Sequence, residues 1–317
     1  MLKFLSILTA VCFCSFAYAQ TDTLSYTKEE MRLLDSMFKN DEFIKLMREG
    51  KNKSYFDLSI AVGNQSLSTT NNNSNAGQLK SSFVLIPGIS YNHKSGFGLS
   101  VNAFLASDQT QFKPYQYAIS PYFEYQFKSF DIAVSYTRYI FNTNAAFSPN
   151  PFQNNFYGNF QFTKTQIEPG IAVSYSNGEY NDTVRISGML RNLNIKISDF
   201  SLSPYILHNF YFYKLISKND ALNLTPALLL VVGRQQVEVP GFNRTRLSDY
   251  PRLREYLKNR FESDSKFQLQ SIAGSVNVRY LYKGFYINPS LYIDYYLPET
   301  TYEKITAVFS FSAGVTF

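Results

Sequence analysis

Apolar and polar residues alternate one by one along most of this chain. From position 304 onward, Ile305, Ala307, Phe309, Phe311, Ala313, Val315 and Phe317 form one set, and Lys304, Thr306, Val308, Ser310, Ser312, Gly314 and Thr316 the other. A period of two over that length predicts a β-strand with one apolar and one wet face. Phe56, Leu58, Ile60 and Val62 alternate in the same way with Asp57, Ser59, Ala61 and Gly63, and Phe97, Leu99 and Val101 with Gly98, Ser100 and Asn102. Carried along the chain, the pattern predicts strands over 54–64, 80–92, 97–107, 116–127, 130–141, 158–176, 183–193, 199–217, 221–237, 266–282, 285–297 and 304–317. That is about twelve, and the parity slips within 158–217, so a bulge leaves ten or fourteen open.

The connections support the pattern. A long polar segment, Gln65–Gln78, is followed by a short turn, His93-Lys94-Ser95-Gly96. Such alternation is the rule of transmembrane β-barrels, with short turns on the periplasmic side and long loops outside. Lys128-Ser129 joins an odd apolar set (Tyr117, Ile119, Phe123, Tyr125, Phe127) to an even one (Phe130, Ile132, Val134, Tyr136). A two-residue hairpin requires that switch. Lys283-Gly284 makes the same switch, and Asn177-Gly178 is a third hairpin signal. Proline recurs on the apolar set, at Pro87, Pro121, Pro169, Pro204, Pro226 and Pro289. Because proline cannot donate to a ladder, these positions predict a ring of bends in the periplasmic half. The fold class expected is all-β, an antiparallel transmembrane barrel.

A closing strand of this alternation that ends on Phe317 resembles the last strand of bacterial outer-membrane β-barrels. That resemblance implies that Phe317 belongs to the address read by the insertion machinery. The proline repeat, with its Tyr91-x-His93-Lys94-Ser95-Gly96 turn, resembles uncharacterised outer-membrane barrels of the Bacteroidota. This resemblance spans residues 20–317 in style and implies no particular activity.

The first residues are of another kind. Lys3, the apolar run Phe4–Phe16 and Ala17-Tyr18-Ala19 have the layout of a secretory signal peptide, residues 1–19. Both cysteines, Cys12 and Cys14, fall inside it. Residues 20–52 form a leader in which Thr27-x-x-Glu30 is a capping box, followed by Met31, Leu34, Met37 and Phe38 at helical spacing. Three roles are open for this amphipathic helix: a periplasmic cover at the barrel mouth, a plug in the lumen, or a docking element. The barrel is assigned to residues 53–317, with a helical outer loop over 239–265 in which Pro251 occupies the first turn. Around that helix Arg252, Arg254 and Lys258 stand among further arginines. Such a loop is either a solvated surface beside anionic lipopolysaccharide or a cover that draws anions to the pore.

Composition narrows the function. Phe (29) and Tyr (25) are abundant while Trp is absent, so Tyr and Phe must supply the interfacial girdles. The net charge of +6 is modest, and the basic residues are scattered without a nucleic-acid motif, so no nucleic-acid partner is expected. Two distant histidines and no cysteine beyond the signal peptide argue against a metal site, and no cofactor is expected. The wet faces carry Asp57, Glu124, Asp131, Glu168, Arg279 and Asp294, with Tyr122, Tyr286 and Tyr292. They read either as a paired, stiffening interior or as a selectivity lining for a small polar or anionic solute. His93 and Ser95 form a His-x-Ser pair similar to that of outer-membrane phospholipases and lipid A deacylases, where histidine activates the serine hydroxyl. In this chain Ser107 stands where the phospholipases carry an asparagine orienter. The function expected is therefore a narrow channel or a plugged structural barrel. A lipid hydrolase and a docking module are the alternatives, with no protein partner identified.

Overall fold

The computed structural model describes residues 53–64, 83–107, 112–141, 152–186, 189–238, 267–298 and 304–317, and within these not the side chains of Ser107, 180–195 and 235–238. The signal peptide, the leader helix and the loop helix with Arg252, Arg254 and Lys258 lie outside the described residues.

The strands are β1 (Tyr55–Gly63), β2 (Val84–Asn92), β3 (Phe97–Ser107), β4 (Phe112–Gln126), β5 (Phe130–Phe141), β6 (Asn154–Phe162), β7 (Glu168–Ile186), β8 (Met189–Leu207), β9 (Phe210–Tyr213), β10 (Asp220–Glu238), β11 (Gln268–Tyr282), β12 (Phe285–Tyr296) and β13 (Ile305–Thr316). All pair antiparallel with their neighbours, and β1 closes on β13 while β10 pairs with β11. The short β9 pairs with β10 just beyond the end of β8, so β8 and β9 together form one stave. The result is a closed barrel of twelve staves. Closure leaves no free edge. The short connections lie at one end, here called the turn end, and the longer ones at the loop end.

Two connections differ from the sequence expectation. The predicted strand 158–176 is in fact two, β6 and β7, joined by a turn over 163–167. That turn, Thr-Lys-Thr-Gln-Ile, contains no Gly, Pro, Asn or Asp, so it carries none of the usual turn punctuation. It is held by Thr165 Oγ1 donating to the Ile167 carbonyl at 2.6 Å. Conversely, Asn177-Gly178 is not a hairpin. Asn177 faces Ser198 and Gly178 faces Ile197 in mid-ladder, and the hairpin continues until Ile186 pairs with Met189. The predicted strands 183–193 and 199–217 therefore resolve into the upper part of a long β7–β8 pair and the β8–β9 stave. Lys283 and Gly284 do form the expected tight hairpin, with φ of 48° and 86°, both positive as a type I′ turn requires.

Each proline sits where a ladder is interrupted. The β2–β3 pairing skips Ile86 and Pro87, β4–β5 skips Ser120 and Pro121, β11–β12 skips Asn288 and Pro289, and β8–β10 skips Ser203 and Pro204. Pro169 lies past the last β6–β7 pair, and Pro226 stands at the break between β8 and β9. A missing N–H is tolerated at such gaps.

The apolar set faces outward. Phe56, Leu58, Ile60, Leu99, Val134, Leu228 and Phe309 are exposed large hydrophobic residues on the outer wall. Toward the loop end the facing register aligns Tyr136, Phe156, Tyr175 and Phe200 across β5–β8, and directly beyond them Arg138, Asn154, Asn177 and Ser198. An aromatic row bordered by a polar row marks the edge of the apolar belt. Toward the turn end an aromatic chain runs Phe97–Phe123 (4.8 Å), Tyr125–Phe127 (4.6 Å) and Phe127–Phe130 (4.4 Å).

Candidate functional site: the barrel interior

The inward set is small through the middle of the barrel, with Ser59, Ser100, Ser135, Ala172 and Ser201 among it. Small side chains on a wall of this strand number leave room along the axis that an eight-stranded barrel would fill. The two halves of the interior then differ. On the loop side Val84, Ile86, Phe104, Tyr115 and Tyr139, with Ala106 and Ala118, form a buried apolar cluster on β2–β5. Asp199 and Asp294 are also buried there, and Tyr292 donates its hydroxyl hydrogen to Asp294 Oδ1 at 3.2 Å.

On the turn side the interior is wetter and charged. Asp57, Asp131 and Glu168 are half-buried and Glu124 is exposed. Each lies within a few residues of the turn end of its strand, on β1, β5, β7 and β4. Glu168 accepts from Gln161 Nε2 at 2.5 Å and from Asn209 Nδ2 at 3.2 and 3.3 Å. Asn209 in turn accepts from Thr225 Oγ1 at 2.7 Å, which ties the β8–β9 break to β10. Arg279 on β11 stacks its guanidinium over the Tyr286 ring, 4.9 Å from the centroid.

Three tyrosines brace this region. Tyr122, Tyr205 and Tyr286 lie directly opposite Gly98, Gly170 and Gly314. Each ring covers its glycine so closely that a Cβ there would collide with ring atoms. Each hydroxyl then reaches the strand beyond: Tyr122 to Asn92 Oδ1 at 2.5 Å, Tyr205 to Asn159 Oδ1 at 2.8 Å, and Tyr286 to Asp57 Oδ1 at 2.9 Å. Each tyrosine thus clamps three adjacent strands, β2–β4, β6–β8 and β12–β1. Thr316 Oγ1 adds a bond to Asp57 Oδ2 at 3.1 Å across the closing seam. The clamp at Tyr205 is invisible in the sequence, because its glycine is identified only by a register that the unmarked turn at 163–167 hides.

The remaining candidates are turn residues. Ser95 lies 2.7 Å through Oγ from His93 Nδ1, and the Ser95 N–H also donates to that nitrogen at 3.3 Å. With the Gly96 N–H donating to the His93 carbonyl at 2.9 Å, these bonds close a four-residue turn at the turn end. Ser107 closes β3 at the opposite end of the barrel, so it does not orient His93. With the Ser95 hydroxyl and N–H both gathered at His93 Nδ1, the pair describes a locked turn. Replacing Ser95 or His93 with alanine is expected to leave lipid hydrolysis by purified protein at background. Calcium-stimulated fatty-acid release by wild type, lost in either variant, would contradict that. His208 sits in the β8–β9 break, bonded through Nδ1 to the Gln166 carbonyl and edge-on to Phe210 at 4.2 Å. It pins the 163–167 turn.

A closed antiparallel barrel with an apolar, aromatic outer wall and a polar interior is an outer-membrane β-barrel, and the outer membrane is where this protein resides. No family model matches the chain, and no curated protein matches it. Among solved structures it is similar to the NanC porin (12% identity, 82% of this chain and 98% of that chain, TM-score 0.36). It is also similar to the KdgM porin (13% identity, 82% and 99%, TM-score 0.39). A third is LpxR from Salmonella typhimurium (9% identity, 82% and 100%, TM-score 0.38). Scores this low carry no argument about what crosses the barrel.

Proposed function

We propose that the protein is a narrow, porin-like channel for small polar solutes whose inner wall favours cations. One observation supports this most: the turn-side interior sets the carboxylates of Asp57, Glu124, Asp131 and Glu168 against the guanidinium of Arg279. Inside a narrow lumen, wall charges act on an ion at a few ångströms with little water between, where they are screened least. The apolar cluster of Phe104, Tyr115 and Tyr139 supports a narrow rather than a wide path on the loop side. The basic residues Arg252, Arg254 and Lys258, in the sequence between β10 and β11, would work in the opposite direction by favouring anions. The proline repeat supports kinship with the Bacteroidota barrels as part of the same reading. Planar-bilayer recordings of two variants test it. Asp57→Asn with Glu124→Gln and Glu168→Gln should shift selectivity toward anions. Arg252→Gln with Arg254→Gln and Lys258→Gln should shift it toward cations. Equal selectivity in wild type and the carboxylate variant would sink the lining role.

A further inference from the structure

The turns carry a feature that the channel reading does not use. Lys94 lies in the β2–β3 turn, Lys128 in β4–β5, Lys164 in β6–β7, Lys214 and Lys218 in β9–β10, and Lys283 in β11–β12, while Lys53 precedes β1. Every connection at the turn end thus contributes at least one lysine, and all of these lysines are exposed. The carboxylates nearby are turned elsewhere. Asp57, Glu124, Asp131 and Glu168 belong to the inward set. Asp220, at the end of the β9–β10 turn, is buried and accepts the N–H groups of Leu215, Ile216 and Ser217, each at 2.8 Å, and the Tyr280 hydroxyl at 3.0 Å. Among the described residues, the rim therefore exposes its lysines, while Asp57, Glu124, Asp131 and Glu168 face the lumen and Asp220 is engaged by the N–H groups of its own turn.

A second observation places this rim in the membrane. The turn-end aromatics Phe97, Phe123, Tyr125, Phe127, Phe130, Tyr282 and Phe285 sit immediately above the lysines, and Lys283 Nζ lies 5.3 Å over the Tyr282 ring. Tyrosine and phenylalanine girdles lie at the boundary between hydrocarbon and headgroups. A lysine just beyond such a girdle has the length to lay its aliphatic stem along the aromatic edge and its ammonium at headgroup level. We propose that this lysine collar binds anionic phospholipid headgroups of the periplasmic leaflet and seats the barrel in that leaflet. An ammonium near an anionic bilayer surface is drawn to its negative potential, so a collar of this size distinguishes an anionic bilayer from a zwitterionic one.

The test uses full-length protein lacking residues 1–19, refolded from urea into unilamellar vesicles at low ionic strength. One set is phosphatidylcholine alone, and the other contains about a quarter phosphatidylglycerol, with the folded fraction read by heat-modifiable electrophoresis. Wild type should partition into the anionic vesicles roughly tenfold or more better, and salt should remove the difference. Lys94→Gln, Lys128→Gln, Lys164→Gln and Lys283→Gln together should reduce the preference sharply, with Lys53, Lys214 and Lys218 left in place, while the variant still folds in zwitterionic detergent micelles. The corresponding Lys→Arg variant should keep it, which separates charge from any damage to the turns. Equal insertion of wild type into both vesicles would overturn the proposal. So would a preference undiminished in the Gln variant, which would assign the effect to another surface. A collar that ignores lipid but pulls an acidic periplasmic protein onto wild type alone would also overturn it.

Discussion

Replacing Gly170 with leucine is expected to destabilise the barrel by about 2–4 kcal/mol, since it combines overpacking with a lost part-buried hydrogen bond. The Tyr205 ring occupies the space a side chain would need, and it cannot rise into the lumen without releasing Asn159 Oδ1 at 2.8 Å. Tyr205→Ala alone should cost less, because it removes the ring and leaves a cavity open to the lumen. The double variant should be more stable than the sum of the two losses by about 2 kcal/mol, the coupling expected of residues in direct contact. Gly158→Ala is the control. It lies on the outer wall, where its new methyl would meet only Val134 Cγ1 at 4.0 Å, and its effect should stay within about 0.5 kcal/mol. Urea titrations of protein reconstituted in lipid decide this. Additive losses would mean that the tyrosine does not clamp the glycine strand.

Deleting Phe317 is expected to remove most membrane-inserted, heat-modifiable protein from cells while leaving refolding into detergent largely intact. Phe317 forms the last rung of the closing seam, donating its N–H to the Phe56 carbonyl at 3.0 Å and accepting from the Phe56 N–H at 2.8 Å, with the rings stacked at 6.2 Å. Two exposed hydrogen bonds contribute about 1–3 kcal/mol, too little to unfold a closed barrel. Loss in cells with retention in vitro would thus assign Phe317 to recognition by the insertion machinery. Failure in both would assign it to the seam, and normal insertion in cells would refute the address.

The alternation of apolar and polar residues made the barrel legible, because lipid on one side and water on the other impose a period of two on every stave. The stave count came through two opposite errors. The turn at 163–167 has no residue that marks a turn, while Asn177-Gly178 has the residues of a hairpin but lies where the wall passes out of the apolar belt. Asp57, Glu124 and Asp131 can be assigned to one face from their own strands, since each strand carries its own parity. The tyrosine clamps cannot. Tyr122 meets Gly98 across a loop and a bulge between Phe104 and Leu105, and such pairings follow from closure of the whole sheet rather than from local pattern. The lysines of the turns were each visible, but their alignment into one collar required knowing which connections share an end.

If charges on the inner wall govern passage, the reversal potential across a bilayer under a salt gradient will show it. The turn lysines and the basic residues Arg252, Arg254 and Lys258 belong to connections rather than to the wall, and for charges facing bulk solution the Debye length is about 30 Å at 0.01 M and about 3 Å at 1 M salt. At high salt their influence ends within a few ångströms, whereas the carboxylates of Asp57, Glu124, Asp131 and Glu168 remain beside the ion path. Wild type should still favour cations toward 1 M salt, and the carboxylate variant should not. A channel that favours anions at 1 M salt, or a reconstituted barrel that passes no current, would contradict it.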